Sequence, residues 1–265
     1  MKSILLLVHD DEGQDARLEA ALGLARALGG HLACIDVTPS PVIAADLYVG
    51  FGEAAVISDE RESEPKNKAA VTDRLSREDV SWGWTDATGD IASCVTAAAR
   101  LADLIILNRA LDEHRVPDMR AIVTRILSHT HVPILAVPPA LERFEFDRAL
   151  VAWDGRAAAA AALRLSVPLL SLASEVEIFT ADDGYHPADP FDAVRYLSYH
   201  GIRSAPHLTA MAHRRVHECL STEAKRWHAD YVVMGAYGRG AWRETFGGVT
   251  KHMLAHSDLP LLLCR

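Results

Sequence analysis

Residues 102–137 (ADLIILNRALDEHRVPDMRAIVTRILSHTHVPILAV) align without a gap on residues 229–264, at a constant offset of 127. The alignment keeps Ala102-Asp103 opposite Ala229-Asp230, and it pairs Leu127 with Leu254, His129 with His256 and Pro133 with Pro260. A chain carrying two copies of one strand-helix-strand unit is a tandem duplication, so each half has to solve the same packing problem in the same way. A length of 265 residues, at roughly 100–200 per domain, leaves room for two compact cores. The copies diverge where a ligand would sit: Asn108, Leu111, Arg120 and Ala121 stand opposite Gly235, Gly238, Gly247 and Gly248.

The hydrophobic pattern predicts strands and helices in strict alternation. In the first half, apolar runs at 4–8, 31–37, 80–85, 104–107 and 134–137 read as strands. Helical spacing at 14–28, 91–101 and 119–128, and a polar helix over 59–77, fill the intervals, with 39–52 as an excursion. Pro138-Pro139 and the polar stretch 142–147 form a linker. The pattern then restarts, with strands at 149–153, 175–180, 207–212, 231–234 and 259–264 and helices at 157–173, 188–200, 216–228 and 249–255. Alternation of this kind implies right-handed crossovers, and so an α/β fold of two tandem domains (1–140 and 146–265), each an open, mainly parallel five-stranded sheet flanked by helices.

Ligands on such sheets bind outside the carboxyl ends of the strands, where the strand order reverses. In the second half the corresponding loops are Trp153-Asp154-Gly155 and Gly235-Ala236-Tyr237-Gly238, with Gly247-Gly248-Val249-Thr250 opening a helix. Glycines allow close backbone approach to phosphates, helix N-termini attract anions, and Asp154 can accept from an adenine amino group or a ribose hydroxyl. The residues also admit a plainer reading, with the glycines making turns and Asp154 capping the alanine-rich helix after it.

Together the five-strand order of both halves, Asp154 at a strand end, the run Met234-Gly-Ala-Tyr-Gly238, the Gly247-Gly248-Val-Thr250 turn and a last strand introduced by Leu259-Pro260 make the chain resemble the universal stress proteins, in particular their tandem-domain members. The resemblance implies an adenine-nucleotide alpha hydrolase-like fold and a stress-response or signalling role. It places adenine near Ala152, Trp153 and Asp154, ribose and phosphates near Met234, Gly235, Tyr237 and Gly238, and the terminal phosphates near Gly247, Gly248, Val249 and Thr250. ATP or another adenine nucleotide, with Mg²⁺, is the implied ligand. The family pattern is Gly, two residues, Gly, nine residues, Gly, then Ser or Thr. Here eight residues separate Gly238 from Gly247, so the hydroxyl residue is lost in either register and Thr250 is the nearby substitute. One lost hydroxyl contact weakens a site by about 0.5–1.5 kcal/mol. The resemblance also implies that the halves pack through the last strand of each, for which residues 134–137 and 261–264 are sufficiently apolar. The first half, lacking the glycines, reads as structural, with the side chains of Leu111 and Arg120 in the space of the phosphates and Asp10 as a polar cap after the first strand.

Other classes find less support. The net charge is −9, with 14 Lys+Arg against 22 Asp+Glu up to Arg143 and 13 against 14 beyond it, which disfavours nucleic acid as a partner. The longest apolar runs fall short of a membrane span, and the short N-terminal run followed by His9-Asp-Asp-Glu12 does not read as a signal peptide, so the expected location is cytoplasmic. Cys34, Cys94, Cys219 and Cys264 are too scattered for zinc or a disulfide framework, and His129-Thr-His131 is a weak metal candidate. No Walker loop, pyrophosphatase loop or G-x-S-x-G elbow is present, so no catalytic residue is assigned and slow ATP hydrolysis is the most that an enzyme reading allows. A non-nucleotide ligand or a scaffold role is the alternative to nucleotide binding. The expected partners are an unidentified protein and a second copy in a homodimer.

Overall fold

The computed structural model describes residues 1–38, 53–109, 118–182, 188–236 and 246–265, with the backbone alone at 53–64 and 246–247. The excursion at 39–52, Leu111, Tyr237, Gly238, Arg239 and Arg243 lie outside the described residues. The first half runs β1 (Ser3–Val8), α1 (Gln14–Leu28), β2 (His31–Thr38), α2 (Glu53–Ser76), β3 (Ser81–Thr88), α3 (Ile91–Ala98) with a 3₁₀ turn at Ala99–Leu101, β4 (Leu104–Asn108), α4 (Met119–His129) and β5 (Ile134–Val137). The second runs β6 (Arg148–Ala152), α5 (Ala157–Leu170), β7 (Glu175–Asp182), α6 (Pro190–Ser198), β8 (Ser204–Ala210), α7 (Val216–Arg226), β9 (Tyr231–Gly235), α8 (Phe246–His256) and β10 (Leu261–Cys264).

Local chemistry explains several boundaries. Gly29 adopts the left-handed conformation (φ 56°) and its N–H returns to the last carbonyls of α1, which ends the helix. The side chains of Asp90, Asp118 and Asp189 accept backbone N–H groups at the starts of α3, α4 and α6, and Pro190 follows Asp189 at a position that needs no donor. β8 begins earlier than the apolar pattern predicts and is over by Ala210, because Ala212 and His213 turn to positive φ (43° and 72°).

The ten strands make one sheet in the order β3-β2-β1-β4-β5-β10-β9-β6-β7-β8. Every pairing within a half is parallel. The halves meet where β5 and β10 pair antiparallel, with Leu261 opposite Ala136, Leu262 opposite Leu135 and Leu263 opposite Ile134. The last-strand contact expected from the resemblance is therefore a backbone ladder that fuses two sheets. β4, β5 and β10 are buried throughout, as continuous apolar strands covered on both faces should be. Alternate residues feed two apolar layers. Ile4, Leu6 and Val8 join α1 and α5 on one face, while Leu5 and Leu7 share the other with α4, α7 and α8. Cys34 and Cys264 are buried thiols within these layers, both pushed up to about 12 by burial.

Candidate functional site

In the second half the strand order turns between β6 and β9, which lie side by side with Val151 opposite Val233. Ala152, Trp153 and Asp154 leave β6 beside Met234 and Gly235 at the end of β9, so the structure brings these five residues to the crevice where an α/β sheet receives a ligand. The indole of Trp153 is half-buried and donates to the carbonyl of Asp189 at 3.0 Å, while the Thr180 hydroxyl donates to the Trp153 carbonyl at 3.0 Å. Asp154 is exposed and accepts the Arg156 N–H at 3.0 Å, closing a local turn before α5. The helix-cap role considered for Asp154 is replaced by this turn, and one face of its carboxylate stays open to solvent.

The glycines divide by function. A Cβ on Gly235 would lie 2.5 Å from the Ala158 carbonyl carbon and 2.6 Å from the Ala159 nitrogen, so Gly235 is the contact through which α5 seats on β9. Gly247 and Gly248 fall within the first turn of α8, the helix that follows β9 in the chain. A Cβ on Gly248 meets no atom of the described residues within 4 Å, and the residue is exposed. Val249 packs on the core and Thr250 is buried at 2% exposure. The Thr250 side chain is thus turned into the fold, whereas Gly248 is exposed.

No protein-family profile and no curated protein matches the chain. Solved structures do. A universal stress protein from Archaeoglobus fulgidus superposes with a TM-score of 0.74 at 17% identity, over 99% of this chain and 97% of that one. A candidate universal stress protein from Pseudomonas aeruginosa UCBPP-PA14 gives 0.64 at 17% identity, over 100% and 93%. The chain has the universal stress protein fold. Each of these two superpositions spans both halves of this chain.

Set on that fold, the first half shows what fills the crevice when glycines are absent. Arg17 of α1 is wholly buried: its Nε donates to the Leu7 carbonyl at 3.0 Å, Nη2 to the His9 carbonyl at 2.8 Å and Nη1 to Asp11 at 2.8 Å. Asp11 also accepts the Gly13 N–H at 2.8 Å. The polar cap after β1 is thus Asp11, not Asp10, which stays exposed. Asn108, opposite Gly235 in the repeat, is completely buried, with its Nδ2 3.2 Å from the Gly13 carbonyl. Arg120 does not enter the crevice; it turns back to its own helix cap, Asp118, at 3.5 Å. Arg17 and Asn108 thus occupy the space between the ends of β1 and β4 and the start of α1, whereas either register of α5 on α1 puts alanine (Ala160 or Ala161) where α1 has Arg17.

Among the described residues, His129 and His131 join no cluster of metal-ligating groups. Among the described residues the one group of three such side chains is Glu177, His207 and Glu223, with one donor atom from each within 4.8 Å of the others. These residues come from β7, β8 and α7, and no local spacing in the sequence joins them.

Proposed function

We propose that this chain is a universal stress protein of the tandem kind, whose second half takes an adenine nucleotide, ATP in the first instance, and answers occupancy by changing what it contacts. The observation that carries this reading is the asymmetry of the two crevices. The first is locked by a buried guanidinium and Asn108, while the second has alanine at the guanidinium position, an exposed Asp154 carboxylate and a glycine-bearing helix start. Asp154 accepts from the adenine amino group or the ribose, Trp153 flanks the base, and the first N–H groups of α8 meet phosphate, with Mg²⁺ as the nucleotide's counter-ion. With Thr250 buried, phosphate rests chiefly on backbone N–H groups and the helix dipole, which favours modest affinity and a sensor over an enzyme.

The test is mass spectrometry of ligand released from the denatured protein, together with thermal unfolding in added ATP and Mg²⁺. Co-purified adenine nucleotide or a concentration-dependent rise in melting temperature supports the reading. Absence of both overturns it in favour of a scaffold or a sensor of another small ligand. That second reading has its own observation: Gly235 is consumed by packing against α5 and is not open to a ligand. Described helices are all too short or too polar to cross a membrane.

A further inference from the structure

Glu177 projects from β7 and His207 from β8 on the face covered by α7, and Glu223 descends from α7 to meet them. Both carboxylates are buried, at 4% and 5% exposure. Two carboxylates in one apolar layer are costly unless something of opposite charge joins them. Arg226 supplies part of it: it donates to Glu223 and, from Nη2, reaches Glu177 Oε2 at 3.4 Å. That side chain is half exposed, however, and Glu177 Oε1 is buried with no hydrogen-bond partner among the described residues. His207 Nε2 stands 3.5 Å from Glu223 Oε2, and its ring stacks on Phe179 at 6.0 Å. The fold does not demand this cluster. At the same places the first half has Ala33 as the third residue of β2, Thr85 paired to Ile35, and Thr96, which the offset of 127 sets opposite Glu223.

We propose that Glu177, His207 and Glu223 form a binding site for one first-row divalent cation, Zn²⁺ or Mn²⁺, between the outer strands and α7 of the second half. Ligand bonds of about 2.0–2.2 Å set two donors of a tetrahedral ion roughly 3.3–3.6 Å apart, which the His207–Glu223 separation already meets. One imidazole with two carboxylates favours these ions over Mg²⁺ and Ca²⁺, which prefer oxygen throughout. The ion takes Nε2 of His207 in place of its contact with Thr209 Oγ1 at 2.9 Å, and Arg226 moves into solvent as the charge it had balanced is taken up. Without an ion, the surplus negative charge is relieved by a proton. Burial first and then the neighbouring Glu223 push the Glu177 carboxyl up to about 7.

The experiment is calorimetric titration of the full chain, free of any histidine tag, with Zn²⁺, Mn²⁺ and Mg²⁺. It is repeated on Glu177→Gln, His207→Gln and His252→Ala. The last variant controls for the surface histidines, where His252 stacks on His217 at 3.7 Å and on His256 at 4.3 Å. One Zn²⁺ or Mn²⁺ per chain is expected, weakened at least tenfold by each of the first two changes and untouched by the third. Glu177→Gln removes a buried like charge and so keeps the fold. Its melting temperature should no longer rise on adding Zn²⁺, whereas that of the unaltered chain should. No ion bound, undiminished binding by Glu177→Gln, or binding lost in His252→Ala alone each overturns the proposal.

Discussion

Replacing Gly235 and Gly248 by alanine, one at a time, separates packing from ligand contact. At position 235 the new Cβ arrives 2.5 Å from one backbone atom of α5 and 2.6 Å from the next, where ordinary contact begins near 3.4 Å. The helix and strand must part by about 0.9 Å, yet α5 is anchored by the buried Ala159, Ala162, Leu163 and Leu169. Overpacking costs about 1–3 kcal/mol when side chains can yield. Backbone atoms yield less, so the upper end applies, reduced by the roughly 0.4–1 kcal/mol that alanine returns through the unfolded chain. A net loss of about 2–3 kcal/mol lowers the melting temperature of a chain this size by roughly 4–12 °C. At position 248 the Cβ meets no atom of the described residues within 4 Å, so stability should hold or rise by up to about 1 kcal/mol. Urea and thermal unfolding measure both, and ATP titration of the same samples should show weakened binding in Gly248→Ala and binding by folded Gly235→Ala close to that of the unaltered chain. A Gly235→Ala protein melting within about 1 °C of the parent, or a Gly248→Ala protein losing as much as Gly235→Ala, would refute the division of roles.

Three further outcomes follow from the same geometry. Asp154→Ala removes one exposed turn contact, so it should leave the melting temperature nearly unchanged while abolishing the ATP-dependent shift; a shift that persists removes Asp154 from the site. Arg17→Met strips a wholly buried cation from Asp11 and two carbonyls and should cost about 3–5 kcal/mol by urea unfolding, with a loss below about 1 kcal/mol counting against the lock. Glu177, facing Glu223, Arg226, Arg148 and His207, holds its proton more tightly folded than unfolded. Its ordinary value near 4.5 is raised to about 7, so its favourable contribution is complete below about 4.5 and is lost as pH climbs to about 7. Glu223 is shifted the other way, chiefly by its hydrogen bond from Arg226 against the cost of burial. In EDTA, the melting temperature of the parent relative to Glu177→Gln should fall between pH 5 and pH 7, and a difference that stays flat would show that Glu177 is not strained.

Where periodicity and punctuation agree, the sequence is legible to the residue. The apolar spacing of 14–28 with Gly29-Gly30 behind it reproduces α1, and the run ILAV reproduces β5. The errors have physical causes. Pro206 argues against a strand interior, so the apolar pattern delays β8, but an outermost strand tolerates proline and β8 starts at Ser204. Arg17 has the sequence signature of a solvated helix residue; it is buried because the carbonyls of Leu7 and His9 and the Asp11 carboxylate converge on it after β1 ends. Glycine content singled out Gly235 as a candidate ligand contact, yet it could not tell that this residue serves the helix above it. Glu177, His207 and Glu223 are brought together by a register and a crossover, neither of which leaves a trace in local spacing.

The junction between β5 and β10 also sets a schedule. β5 is apolar at every position, and its outer ladder is completed by residues 261–264, which the ribosome adds about 125 residues later. At roughly 5–20 residues per second, the first half waits on the order of 6–25 s with a sticky strand edge uncovered. During that interval a second nascent chain offers the same unpaired ILAV segment. Slow translation or crowded polysomes would favour swapped or aggregated products, and chaperone cover of residues 134–137 would suppress them.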